Sequence, residues 1–226
     1  FQWDVLLLEA TFLSIIAIPL GYSLSRSYSP NRWIILAFRI LLFKLFFISG
    51  VVKLASNDVT WRGLTALNFH YLSQPIPNIF SYYFYQLPSI FHKVSTAIMF
   101  FIELIIPFLL FFPGRIVRIS GYLFLFLMSL ILISGNYGFF NILVIVLCLW
   151  TLDDTFWNKL NIKAPIISKK TSNAIRSSFI SFLVIFLIVT SISFETLRFF
   201  NRPSHPYVVT VLKTLHHFKL INYYGL

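Results

Sequence analysis

The chain has 226 residues, 58% apolar and only 11% charged, with a mean hydropathy of +0.82. A water-soluble domain usually carries about 25% charged residues, so this chain is too poor in polar surface to coat a soluble globule, and lipid is the simplest solvent for its Phe, Leu and Ile. The formal charge of +11 does not point to nucleic acid, because the Lys and Arg residues flank apolar runs instead of forming one basic stripe.

A bilayer core takes roughly 20 helical residues to cross, and six stretches reach or approach that length. The first covers residues 3–24, with Asp4 and Glu9 in its opening turns and Pro19 near its far end. These two carboxylates do not share a helix face and read as interfacial. The second run, 33–54, is unusual in holding Arg39, Lys44 and Lys53. A charge at the bilayer centre costs from about 3 to 10 kcal/mol or more and defaults to a functional hypothesis. Arg39 and Lys53 lie near the two ends, so snorkelling to the headgroups is the alternative for both. Lys44 is closer to mid-span and points elsewhere.

Residues 55–93 form the one long connection, with Pro75, Pro77 and Pro88, several tyrosines and little charge. It is too aromatic for disorder, and short amphipathic helices at the membrane surface are expected. The third run, 94–112, carries Glu103 four residues before Pro107. A buried carboxylate prefers neutrality or a partner, and the cations of the second run are its natural partners. A structural ion pair and a polar cavity with a proton-transfer role both remain open. The fourth run covers 116–133 and the fifth, 139–152, is short enough to be tilted or re-entrant. Between them Asn136 and Asn141 belong to a polar knot at 135–141, read either as a tight interfacial turn or as an amide pair lining a site. The sixth run covers 179–200.

The expected fold is therefore all-α: a multi-pass transmembrane bundle of about six spans over residues 1–200, with one long aromatic loop. Residues 201–226 would begin a connection to a further, soluble domain, and the chain, opening at Phe1 and closing at Leu226, reads as a piece of a longer protein. Loops near 25–32, 113–118 and 153–177 hold most of the loop Lys and Arg, so they should be cytoplasmic. Residue 1, the long loop and the tail then face outward or into a lumen.

Chemistry-bearing motifs are few. The single cysteine, Cys148, allows no internal disulfide and no Cys-x-x-Cys redox pair. His70, His92, His205, His216 and His217 make no metal-ligand spacing, and no nucleophile elbow, zinc-protease helix or phosphate loop is present. No metal or other cofactor is expected.

Four phrases are specific when taken together: Phe1-Gln-Trp-Asp-Val-Leu-Leu-Leu-Glu9, Thr60-Trp-Arg-Gly-Leu-Thr-Ala-Leu-Asn-Phe-His-Tyr71, Gln74-Pro-Ile-Pro-Asn78 and Ser134-Gly-Asn-Tyr-Gly-Phe-Phe-Asn141. In this order and spacing the chain resembles the membrane core of the lipase maturation factor family. The closing stretch from Leu220 to Leu226 resembles the junction with that family's soluble C-terminal domain, and Gly63 stands where the family would have Asp or another polar residue. The resemblance implies a membrane protein of the endoplasmic reticulum (the inner membrane for a bacterial member). Such a protein serves the folding and assembly of secreted lipases of the lipoprotein lipase type, without catalysis. Its partners would be membrane lipids and that lipase client. Trp61, Arg62, His70, Tyr71 and Gln74 are the candidates for recognising the client, and Arg39, Lys44, Glu103, Asn136 and Asn141 for an intramembrane polar network. A shorter similarity, Phe46-Phe-Ile-Ser-Gly-Val-Val-Lys-Leu54 followed by Trp61, is to the membrane segment of vitamin K-dependent gamma-carboxylase, which implies an enzyme with Lys53 as base. That role requires burial to depress the lysine pKa.

Overall fold

The computed structural model describes residues 2–17, 31–74, 76–135, 137–160, 174–199, 206–222 and 224. All regular structure among them is helical. The chain divides into two compact units: residues 1–41 with 154–223, and residues 42–153 with 224–226.

The first unit contains α1 (Gln2–Ala17), α9 (Asp154–Lys159), α10 (Ala174–Phe199), α11 (Pro206–His217) and the opening of α2 (Arg32–Ala55). Leu6, Ile34, Phe38 and Val184 are among its buried apolar side chains. Asn31 donates to the Ser181 hydroxyl at 3.0 Å, and Phe194 stacks on His216 at 5.1 Å. Glu9 is buried and accepts from the Asn222 amide at 3.2 Å. The acidic residue read as interfacial is thus held inside. Ile221 and Asn222, in the stretch read as a junction, are also buried.

The second unit holds the rest of α2, followed by α3 (Val59–Arg62), α4 (Leu67–Ser73), α5 (Ile79–Tyr85), α6 (Ser89–Leu104), α7 (Arg115–Ser134) and α8 (Phe139–Cys148). Residues 59–85 therefore contain three short helices. The third apolar run starts earlier than its hydropathy suggests, at Ser89 directly after Pro88, whose fixed φ suits a helix entrance. Its α-helix ends at Leu104 and continues as a 3₁₀ turn, Ile106–Phe111, because Pro107 has no N–H to donate. Phe46 stacks on Phe124 at 3.9 Å, and Phe43 meets Phe108 and Phe111 at 5.3 and 5.2 Å.

Among the described residues four helical stretches are long and apolar enough to cross a membrane: Arg32–Ala55, Ser89–Phe111, Arg115–Ser134 and Ser178–Leu197. The first apolar run appears as a helix of 16 residues, its remainder lying outside the described residues. The fifth is α8 plus a 3₁₀ turn, Leu149–Thr151. This short element runs back along α7. Gly121 of α7 lies so close to Thr151 that a Cβ there would collide with the threonine side chain. Arg118, at the start of α7, reaches Asp153 at 3.3 Å.

Candidate functional site

The polar side chains of the second unit gather where α2 ends against α6. Gly50 makes this approach possible: a Cβ at that position would lie 2.7 Å from the Leu104 Cδ2 and 3.1 Å from the Glu103 Cβ. One turn later Lys53 reaches across. Its Nζ donates to both Glu103 oxygens at 2.7 Å and to the Ser49 hydroxyl at 2.7 Å. The Lys53 side chain is 21% exposed and that of Glu103 7%. Trp61 covers the ammonium, its ring centroid 5.7 Å from Nζ, and packs edge-on against Phe100 at 6.1 Å.

Glu103 has therefore chosen Lys53 among the three cations of the second run. Lys53 neither snorkels freely nor stands alone; it is an ammonium neutralised by a carboxylate. Service as a base would first require that pair to open. Lys44 is buried elsewhere and lies 5.1 Å from the Tyr224 ring centroid. Arg39 is half-buried, and its Nε has no hydrogen-bond partner among the described residues.

The loop that carries Trp61 is built by local capping. Asp58 accepts from the backbone N–H and the hydroxyl of Thr60, both at 2.8 Å, and starts α3. Those bonds hold the Asp58 carboxyl below its usual range. Arg62 donates to the Asn57 side chain at 2.9 Å and to the Leu54 carbonyl at 3.4 Å, capping the end of α2. Gly63 closes α3 through its N–H and is exposed.

The next phrase docks α4 and α5 on the end of α7. The Gln74 amide donates to the Ser81 hydroxyl at 2.7 Å and the Ser134 carbonyl at 2.8 Å. Asn78 donates to the Ile133 carbonyl at 2.9 Å and, with Ser81, forms a capping box for α5. Carbonyls left without partners at the end of α7 are thereby satisfied. A Cβ at Gly135 would collide with the Gln74 side-chain oxygen, so a larger residue there would have to displace that amide.

His70 stacks on Tyr137 and its Nε2 lies 3.0 Å from the phenol oxygen. Burial, and secondly the charge of Lys53, push the imidazole below its usual range. Tyr71 is buried between Phe84 and His92, each at 5.6 Å, and burial pushes its phenol up.

Trp61, Arg62, His70, Tyr71 and Gln74 are thus brought together in one unit, and each is engaged with neighbouring elements. The outward residues include Val59, Phe69, Leu72, Ile76, Ile79, Phe80, Tyr82 and Tyr83. Sequence reasoning passed over these because exposure is not encoded in composition. It also passed over Ser49 and Gly50, although the three- and four-residue spacing of Ser49, Gly50 and Lys53 was a usable helical signal. Asn141 is fully buried in α8 with no hydrogen-bond partner for its amide among the described residues; Asn136 lies outside them. Among the described residues no group of three or more His, Cys, Asp or Glu is placed to hold a metal ion.

An all-helical scaffold with four membrane-length apolar helices and ion pairs satisfied internally defines a multi-pass membrane protein. The family model for the lipase maturation factor transmembrane domain matches residues 1–159. Lipase maturation factor 2 of Xenopus laevis is 47% identical over 161 residues, covering 68% of this chain and 22% of the relative. Human lipase maturation factor 2 is 40% identical over 168 residues (68% and 23%), and human lipase maturation factor 1 is 40% identical over 157 (68% and 27%). The chain belongs to the lipase maturation factor family. It spans about a quarter of the length of these relatives. The match stops short of residues 160–226, which include the stretch from Leu220 read as a junction. No solved structure matches the chain.

Proposed function

We propose that this chain is the membrane core of a non-enzymatic maturation factor for secreted lipases. It would reside in the endoplasmic reticulum membrane, or in the inner membrane of a bacterium, and cross it about six times. The observation that carries the reading is the contrast within residues 59–85 between an inward polar frame and an outward apolar face. On α5, Ser81 is 1% exposed while Ile79 and Tyr83 are 68% and 62% exposed. Exposed apolar side chains of this kind mark a protein or membrane interaction site, and a client that has not finished folding presents matching apolar surface. The frame of Gln74, Asn78 and Ser81 keeps that face presented whether or not a client is bound.

The test is replacement of Phe80, Tyr82 and Tyr83 by Ser in the full-length protein, with secretion of active lipoprotein lipase as readout. Secretion should fall several-fold at equal expression of the factor. Undiminished secretion removes this face from the mechanism. Trp61 and Tyr71 are poorer targets, because their loss would unpack Phe100, Phe84 and His92.

A further inference from the structure

A cleft of about 670 Å³ opens between α4, the end of α5 and the start of α6, lined among others by Asn68, Leu72, Tyr85, Gln86, Ser89 and His92. Its size falls in the range of small-ligand sites, about 300–1,000 Å³. No lining residue carries a formal charge. A phosphate-bearing lipid headgroup would find no Lys or Arg there to neutralise its charge, and would have to rely on the N-terminus of α6. The polar groups are instead amides and hydroxyls, suited to a neutral ligand with both donors and acceptors.

The backbone adds to this. Pro88 offers α6 no side-chain cap, so the first N–H groups of a 16-residue helix are left without one at Ser89, on the cleft wall. His92 gives an independent sign of a missing partner: it lines the cleft, is 2% exposed, and its Nδ1 has no hydrogen-bond partner among the described residues. Around the polar groups stand the apolar Phe69, Leu72 and Leu87, each more than a third exposed. Side-chain donors and acceptors beside apolar walls suit an extended polypeptide, whose N–H and C=O groups must be paired while one side chain is buried.

We propose that this cleft binds a short, uncharged, extended polypeptide segment, seating an apolar side chain against Leu72 and pairing its backbone with Asn68, Gln86 and the opening of α6. The inference rests on the maturation reading and specifies where a client chain would be held.

The test uses the full-length protein in phosphatidylcholine nanodiscs. The probe is a capped heptapeptide of Leu, Phe, Asn and Ser carrying a neutral fluorophore, compared with a version bearing Asp or Lys at alternate positions. The uncharged peptide should bind at least fivefold more tightly than either charged one, and Asn68→Leu and Gln86→Leu should each weaken it at least fivefold. Because either variant could misfold, a benzoylphenylalanine photocrosslinker at position 72 gives a second readout, with polypeptide adducts expected and competed by the uncharged peptide. Lipid adducts alone, or no saturable peptide binding, overturn the proposal. If the cleft variants bind the peptide normally while the Phe80, Tyr82 and Tyr83 variant loses lipase secretion, the cleft is wrong and the maturation reading stands. If the cleft variants lose the peptide while both they and the Phe80, Tyr82 and Tyr83 variant secrete lipase normally, the cleft is right and the maturation reading fails.

Discussion

Lys53 shows what a single residue can be made to do by its neighbour. The sequence exposed one carboxylate in the third apolar run and three cations in the second, which is enough to expect a pair. It could not choose among the cations, because helical periodicity gives a face but not the depth at which two helices touch. Gly50 sets that depth, three residues before Lys53 on the same face. Breaking a buried ion pair by removing one partner costs about 3–5 kcal/mol, whereas replacing both by apolar residues is often neutral. Glu103→Gln and Lys53→Met should therefore each lower the thermal unfolding midpoint in detergent, and the Lys53→Met, Glu103→Leu double variant should recover most of the loss. Strictly additive losses would count against the pair. Lys53→Arg separates the two chemistries: an ion-pair role tolerates it and lipase secretion survives, whereas a base role does not, since Arg stays protonated.

At the level of elements, the specific phrases of the sequence turn out to be joints. Gln74 and Asn78 hold α4 and α5 to the end of α7, and His70 of α4 meets Tyr137 in the turn before α8. The phrases were legible, but their mechanical role was not, because each joint links residues more than fifty positions apart. The His70 joint should be pH-sensitive. Burial favours neutral imidazole in the folded state, so the unfolded chain binds the extra proton first as pH falls below about 6.5. Stability tied to this joint is complete above that value and is lost as pH drops towards the lowered folded value. Hydrogen exchange of α4, taken relative to the intrinsic rate at each pH, should accelerate between pH 7 and 5 in the parent and change little in a His70→Gln variant. Equal acceleration in both would place the sensitivity elsewhere.

For the whole molecule, composition announced the membrane, but not how many times the chain crosses it. The doubtful crossing is the fifth, because α8 and its 3₁₀ turn rise only about 20 Å, less than a hydrocarbon core of about 30 Å. Length alone therefore argues for a re-entrant hairpin. Two contacts argue the other way. Thr151 lies against Gly121, and Asp153 pairs with Arg118, so the short element returns to the end from which α7 set out. The extended Gly135 and the turn at Gly138 cover part of the shortfall at the opposite end. Beyond Asp153 come Lys159, Lys163, Lys169 and Lys170, a cluster that resists translocation. These contacts and charges outweigh the length, so Asn158 should share a side with Pro113, and Ser56 should lie on the other. Single-cysteine variants at these three exposed positions, in a Cys148→Ala background, can be labelled in intact microsomes with a membrane-impermeant maleimide. Labelling of positions 113 and 158 without permeabilisation, with 56 protected until the membrane is opened, is the expected result. Protection of position 158 together with 56 would mean that α8 turns back within the bilayer, reducing the crossings and moving residues 154–160 to the side of position 56.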